Sequence, residues 1–358
     1  MLHDRIKSAP GVAANGEAAT TGRIELPTPY LLFLGDCTEA GYAKTAQGLK
    51  DWAPEKCVGE FALPKASVTT GLPRLTPAEA AAKGARSIVI GIANSGGFIS
   101  PAWIPALVEA LEAGLDIVAG MHMRLNDHPE LAAKAAQLGR QLFDVRVPPA
   151  GIPIGTGVRR TGKRLLTVGT DCALGKKYSA LAIARAFKGR GVDADFRATG
   201  QTGIMIAGGG MPMDTVVADF LAGAAEILSP DAPASHWDVI EGQGSLFHPS
   251  YAGVSLGLLH GSQPDAIVLC HDAGRETIDG YPGFAIPTFE RCIEDNLRAG
   301  SLTNPAIRCA GLAVNTSRLA APQRERYLSE LETRLGVPAF DPVATGPGRL
   351  VEHLKSFK

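Results

Sequence analysis

The stretch Gly169-Thr170-Asp171-Cys172-Ala173-Leu174-Gly175-Lys176-Lys177 has the residue types and spacing most specific to a chemistry. A strand ending in Gly169 and a helix starting near Lys176 would leave a turn whose backbone N–H groups converge with the positive helix end, a cradle for phosphate oxygens. Lys176 adds a mobile full charge there, and Tyr178 continues the same helical turn. The usual phosphate-loop spacing is G-x-x-x-x-G-K-[ST]; here the first glycine is displaced by one, and Lys177 stands where a Ser or Thr would ligand magnesium. A second cation in place of that hydroxyl predicts anion binding with no metal required. The plainer alternative is that the glycines only permit a tight strand–helix turn.

Further polar clusters follow predicted strand ends, where open α/β sheets place ligands. Thr199-Gly200-Gln201-Thr202-Gly203 reads as a flexible turn after a strand ending at Arg197, with Gln201, Thr202 and Arg197 as candidates for reading a substrate carboxylate or amine. Glu241-Gly242-Gln243-Gly244-Ser245 follows the apolar run Trp237 to Ile240, at the position of a Walker B acid. Glu241 is a candidate base or ammonium partner, and His248 could exchange a proton near neutral pH. Arg275, beyond His271-Asp272, has the planar fork that grips a carboxylate. Asn315, after the next strand, stands where many phosphate-loop proteins meet an adenine base. In the first half of the chain Gly35-Asp36, Lys44, Asn94-Ser95-Gly96-Gly97 and Gly120-Met121-His122 read as turn and interface residues, and Cys172 as a small loop filler.

Such residues need strands and helices to hold them, and the chain has the matching pattern. From Tyr30, short apolar runs alternate with Gly/Asp/Ser turns and segments of helical periodicity, which predicts parallel sheets. Strands are expected at 30–34, 87–92, 116–119 and 142–147, with helices at 76–83, 104–113 and 129–138. A second series has strands at 163–168, 193–197, 237–240, 266–270, 309–314 and 338–340 and a strong helix over 176–188. Pro148, Pro149, Gly151, Pro153 and Gly155 punctuate the chain between the two series. The reading is two doubly wound α/β domains: Rossmann-like over 30–152 and P-loop NTPase-like over 153–358, after a flexible or partner-docked tail over 1–29.

With 35 basic and 36 acidic residues the net charge is −1, so no global field recruits nucleic acid or a membrane surface. Phosphate affinity must be local. The six cysteines form no CxxC pair, which suits a reducing compartment, and no run suggests a signal peptide or membrane span, so a cytoplasmic location is expected. Two α/β domains with apolar edges also suggest a homo-oligomer.

The Gly-Thr-Asp turn before Gly-Lys resembles that of dethiobiotin synthetases and other P-loop ligases. A broader resemblance covers nearly the whole chain. Tyr30 to Asp36, Val168 to Cys172 with Gly175-Lys176-Lys177, Ala198 to Gly208, Val239 to Pro249 and Asn315-Thr316-Ser317 are together similar to a family first described as a domain of unknown function, whose members include bacterial D-glutamate N-acetyltransferase. The resemblance implies acetyl transfer from acetyl-coenzyme A to D-glutamate, feeding D-amino-acid catabolism, with the coenzyme's phosphates on the cradle. On that reading the base is Glu241, His248 or Asp171, in that order. Loop N–H groups or Lys176 would meet the oxyanion, and Arg197, Arg275 and Lys177 would be available to the carboxylates. The rival readings are an ATP- and magnesium-dependent ligase or kinase and a non-catalytic nucleotide-binding regulator.

Overall fold

The computed structural model describes residues 22–94 and 96–357. In chain order the elements are β1 (Ile24–Glu25), β2 (Tyr30–Phe33), α1 (Lys44–Trp52), β3 (Cys57–Phe61), α2 (Pro77–Ala82), β4 (Ser87–Ile90), α3 (Ile104–Glu112), β5 (Asp116–Ala119), α4 (Pro129–Leu138) and β6 (Leu142–Asp144). After a long connection come β7 (Lys163–Gly169), α5 (Lys176–Lys188), β8 (Ala194–Arg197), α6 (Gln201–Ala207), β9 (Gly209–Gly210), α7 (Leu221–Leu228), β10 (Trp237–Ile240), α8 (Ala252–Ser262) and β11 (Ala266–Asp272). The chain ends with the hairpin β12 (Thr277–Ile278) and β13 (Tyr281–Ala285), then α9 (Phe289–Gly300), β14 (Arg308–Asn315), α10 (Ala321–Leu335), β15 (Ala339–Phe340) and α11 (Gly348–Leu354).

The first half is a five-stranded parallel sheet in the order β3-β2-β4-β5-β6, a doubly wound arrangement whose order reverses between β2 and β4. The second is a six-stranded parallel sheet in the order β15-β14-β11-β7-β10-β8, with β7 central and flanked by β11 and β10. Strands such as β2, β4, β10 and β11 are buried along their whole length, as expected where helices cover both faces of a parallel sheet. That is why they read in the sequence as largely apolar runs.

Three local outcomes differ from expectation. The segment expected to be a flexible turn after Arg197 is helix α6 from Gln201. Its buried Ile204, Met205 and Ile206 join the core of the first domain, so helix–core packing outweighs the glycines that suggested a loop. Lys56 donates from Nζ to the carbonyls of Ile206 (2.7 Å) and Ala207 (2.6 Å), satisfying the end of this helix, and Tyr30 donates to Met205 O at 3.0 Å. β3 is an element the sequence pattern did not reveal, and Lys44, read as a turn or interface residue, opens helix α1, which packs on α6. Residues 22–29 of the expected loose tail include β1, which pairs antiparallel with β9; the Gly/Ala-rich stretch 8–17 lies outside the described residues. Among the described residues no helix is long and apolar enough to cross a membrane.

Candidate functional site

β7 ends at Gly169, beside β11 and β10, so the loop into α5 emerges at the carboxyl edge where the sheet order turns. Two glycine-class constraints shape it. A Cβ on Gly169 would lie 2.6 Å from Asp171 O and 3.0 Å from Lys176 Nζ, and one on Gly242, in the neighbouring loop, would overlap Thr167 O. Ala173 holds φ = 52° and Gly175 φ = 101°. A left-handed alanine is strained, and backbone strain in a loop that lines a cavity marks a candidate ligand site.

Asp171 is fully buried, and its carboxylate is spent on the loop itself. Oδ1 accepts from Cys172 N (2.6 Å), while Oδ2 accepts from Arg275 Nη1 (2.9 Å) and Asp279 N (2.8 Å). Arg275 also donates to Cys172 O at 2.8 Å. The expectation that Asp171 serves as a base and Arg275 grips substrate is therefore corrected: together they clamp the loop to the β12–β13 hairpin. Thr170 meets His271 Nδ1 through its hydroxyl at 2.9 Å, and burial pulls the His271 pKa down to about 4, so this imidazole is neutral.

Lys176 is buried, with Nζ donating to Asp171 O at 2.8 Å, and burial lowers its pKa. Lys177 Nζ lies 4.5 Å from the centre of the Tyr178 ring; burial lowers its pKa too, partly opposed by the charge of Glu241. Glu241, at the end of β10, accepts from the backbone N–H groups of Thr199 (2.9 Å) and Gly200 (3.2 Å) through one oxygen, Oε2. Its pKa is raised by burial, against the lowering influence of those N–H groups and Lys177. Gly203 exists for this carboxylate: a Cβ there would overlap Glu241. Lys177, Tyr178, Gln201, Thr202, Glu241 and Gln243 line a cavity of about 460 Å³ over Ala173 to Lys176. The structure thus brings the loop lysines, Glu241, Gln201 and Thr202 together.

Other expected residues are placed elsewhere. Arg197 pairs with Asp238 (2.6 Å) and Asp195 (3.5 Å) and lines a separate cavity with Arg23 and Glu25, because β8 is the sheet's edge strand. Asn315 sits on β14, separated from β7 by β11, and its Oδ1 accepts from Ser317 N at 3.1 Å, closing its own turn. His248 is buried, stacked on Tyr251 at 4.5 Å, with Nδ1 accepting from Ser250 N at 3.1 Å. An accepting Nδ1 leaves the neutral ring's proton on Nε2, so His248 presents a donor there rather than the base expected of it. Polar atoms of His248, Asp171 and Cys172 lie within 4.8 Å of one another, but both Asp171 oxygens already accept two or one N–H bonds and burial raises the Cys172 thiol.

A second cavity, of about 560 Å³, lies on the other side of the loop and shares Ala173, Lys176 and Gln243 with the first. Its wall includes Arg146, from just beyond β6 in the first domain, and Asp214, whose carboxylate Arg146 meets at 2.9 Å. Neither was singled out from the sequence. The available signal was positional: Arg146 is a charged residue two places beyond a strand's carboxyl end.

Fold and site together define a two-domain α/β protein with a lysine-paired phosphate loop at the switch point of its second sheet. The chain belongs to the DUF1611 family: residues 56–148 match the domain of unknown function described as Rossmann-like, DUF1611_N, and residues 153–351 match DUF1611_C, described as a P-loop domain. It is 49% identical over 329 residues to a D-glutamate N-acetyltransferase of Tritonibacter scottomollicae, covering 92% of this chain and 99% of that one. A D-glutamate N-acetyltransferase of Pseudoalteromonas is 47% identical over 331 residues, covering 92% of this chain and 100% of that one. The crystal structure of a DUF1611 family protein from Anabaena variabilis is similar with a TM-score of 0.79 and 30% identity, over 92% of this chain and 99% of that one.

Proposed function

We propose that this protein is an amino-acid N-acetyltransferase that moves the acetyl group of acetyl-coenzyme A to the amino group of D-glutamate, within D-amino-acid catabolism. The reaction is supported by 47–49% identity, over nearly full length, to enzymes of that name. The observation in the structure that carries the donor is the pairing of Lys176 and Lys177 at a phosphate loop lacking the metal-binding hydroxyl.

Lys176, Lys177 and the inward N–H groups of the loop hold the coenzyme's phosphates, and the bound thioester supplies the acyl group. Glu241 takes a proton from the acceptor ammonium. Burial raises its proton affinity toward what that transfer needs, while the N–H groups of Thr199 and Gly200 keep its ionised form accessible. The freed amine forms the new N–C bond as the C–S bond breaks, and the coenzyme leaves as the thiol. The free cysteines and the coenzyme both suit the cytoplasm.

The test is product identity. Purified protein mixed with acetyl-coenzyme A and D-glutamate should yield N-acetylglutamate by mass spectrometry, with L-glutamate and D-aspartate as comparison acceptors. A product that appears only with ATP and magnesium, together with ADP, would replace this reading with a ligase.

A further inference from the structure

The structure contains two arginine–aspartate pairs near the loop, and they are used differently. Arg275 donates through Nη1 to both Asp171 and Cys172 O, and Asp171 accepts from three groups. Arg146 touches Asp214 at 2.9 Å, and beyond that contact neither side chain has a hydrogen-bond partner among the described residues. A guanidinium carries five donors and a carboxylate about four acceptor positions, so most of the capacity of this pair is uncommitted. Both residues line the 560 Å³ cavity, whose walls are otherwise largely apolar, with Met213, Val216 and Val254, and whose floor is Cys172, Ala173 and Lys176.

An apolar cleft with a few convergent polar groups is the usual form of a small-molecule site. The sign of those groups selects the ligand. A simple anion would meet Asp214 and a simple cation would meet Arg146; a zwitterion satisfies both. We infer that this cavity is the binding site for the acceptor amino acid, with Arg146 of the first domain gripping a carboxylate and Asp214 pairing with the ammonium. Lys176 is the other cation of the lining. Ala173, Lys176 and Gln243 are common to both cavities and the charge of Asp214 acts on Glu241, so an ammonium held by Asp214 adjoins the base of the neighbouring cavity. The site is then complete only when both domains are present. The inference rests on the proposed acetyl transfer for the identity of its ligand, not for the cavity or the pair.

The alternative is that Arg146–Asp214 is only a latch between domains. D-glutamate binding is measured by isothermal titration in the presence of coenzyme A, alongside thiol release, for the wild type, Arg146→Ala, Asp214→Asn and the exchange Arg146→Asp with Asp214→Arg, with melting temperature as a folding control. The expected result is a dissociation constant and KM for D-glutamate raised about 10- to 100-fold in each single variant, as for a lost hydrogen bond to a charged group. The KM for acetyl-coenzyme A and the melting temperature stay unchanged, and the exchange does not rescue. Unchanged D-glutamate affinity, a shift confined to acetyl-coenzyme A, or rescue by the exchange would overturn the inference while leaving acetyl transfer intact. Wild-type protein that binds D-glutamate through Arg146 yet never releases thiol would instead sink the transferase reading and keep the site.

Discussion

The two sheets obey the same topological rule, yet only one of their switch points keeps charge available. Beyond β2, Asp36 accepts from Trp103 Nε1 at 2.7 Å, and Gly35 is pressed on the same ring, so that a Cβ would lie 2.7 Å from it. Beyond β4, Gly97 is pressed equally closely on His122. The polar groups at that switch point close on each other. At the edge beyond β7 and β10, Lys176 and Glu241 are buried and Lys177 half-buried beside open cavities, with proton affinities displaced by that burial. A switch point becomes a site when its charged groups are desolvated without being consumed.

The sharpest way to separate consumed from available groups is to remove each. Arg275→Ala leaves Asp171 ionised and buried without its cation. It should cost about 3–5 kcal/mol of stability, read as a lowered midpoint in denaturant unfolding. Lys176→Ala should lower that midpoint less but reduce kcat/KM for thiol release by about 10²- to 10³-fold, through the KM for acetyl-coenzyme A, the scale of losing charge-assisted contacts to phosphate. Glu241→Gln keeps the shape and should lower kcat by about 10²-fold. It should also remove the acid limb of the pH–rate profile. Only the ionised carboxylate accepts a proton and burial raises its pKa, so that limb lies above the ordinary value of about 4.3. If loss of the Lys177 charge sets the alkaline limb, its lowered pKa brings that limb below the ordinary value of about 10.4. The smallest effect belongs to the first domain: Trp103→Phe removes one hydrogen bond to Asp36, worth about 1 kcal/mol of stability, with thiol release unchanged. A large activity loss there would break the contrast between the two edges.

The loop between β7 and α5 was legible because its geometry is enforced by residues adjacent in sequence: the glycines, the lysines and the apolar strand before them. Glu241 was legible for a similar reason, as the first residue after a short, largely apolar strand. What stayed hidden depends on partners far along the chain. Arg275 resembles a substrate clamp until Asp171 is seen to occupy it. Arg197 follows a strand end like the others, but its strand lies at the sheet edge, where Asp238 takes it. The helix at Gln201 was concealed because Gly200 and Gly203 look like turn residues. Packing explains them instead, since Gly203 makes room for the Glu241 carboxylate. His248 offered a base by residue type, and only the N–H of Ser250 reveals which nitrogen holds the proton.

The central claim is that two lysines, one buried and one half-buried, replace the usual lysine, hydroxyl and metal, so that the loop holds a phosphorylated acyl donor without hydrolysing a nucleotide. Its most direct test is the initial rate of thiol release from acetyl-coenzyme A with D-glutamate, measured in excess EDTA and again with added magnesium, with and without ATP. A D-glutamate-dependent rate that is the same in all of these conditions is predicted. A rate abolished by EDTA and restored by magnesium, or one that requires ATP, would contradict it.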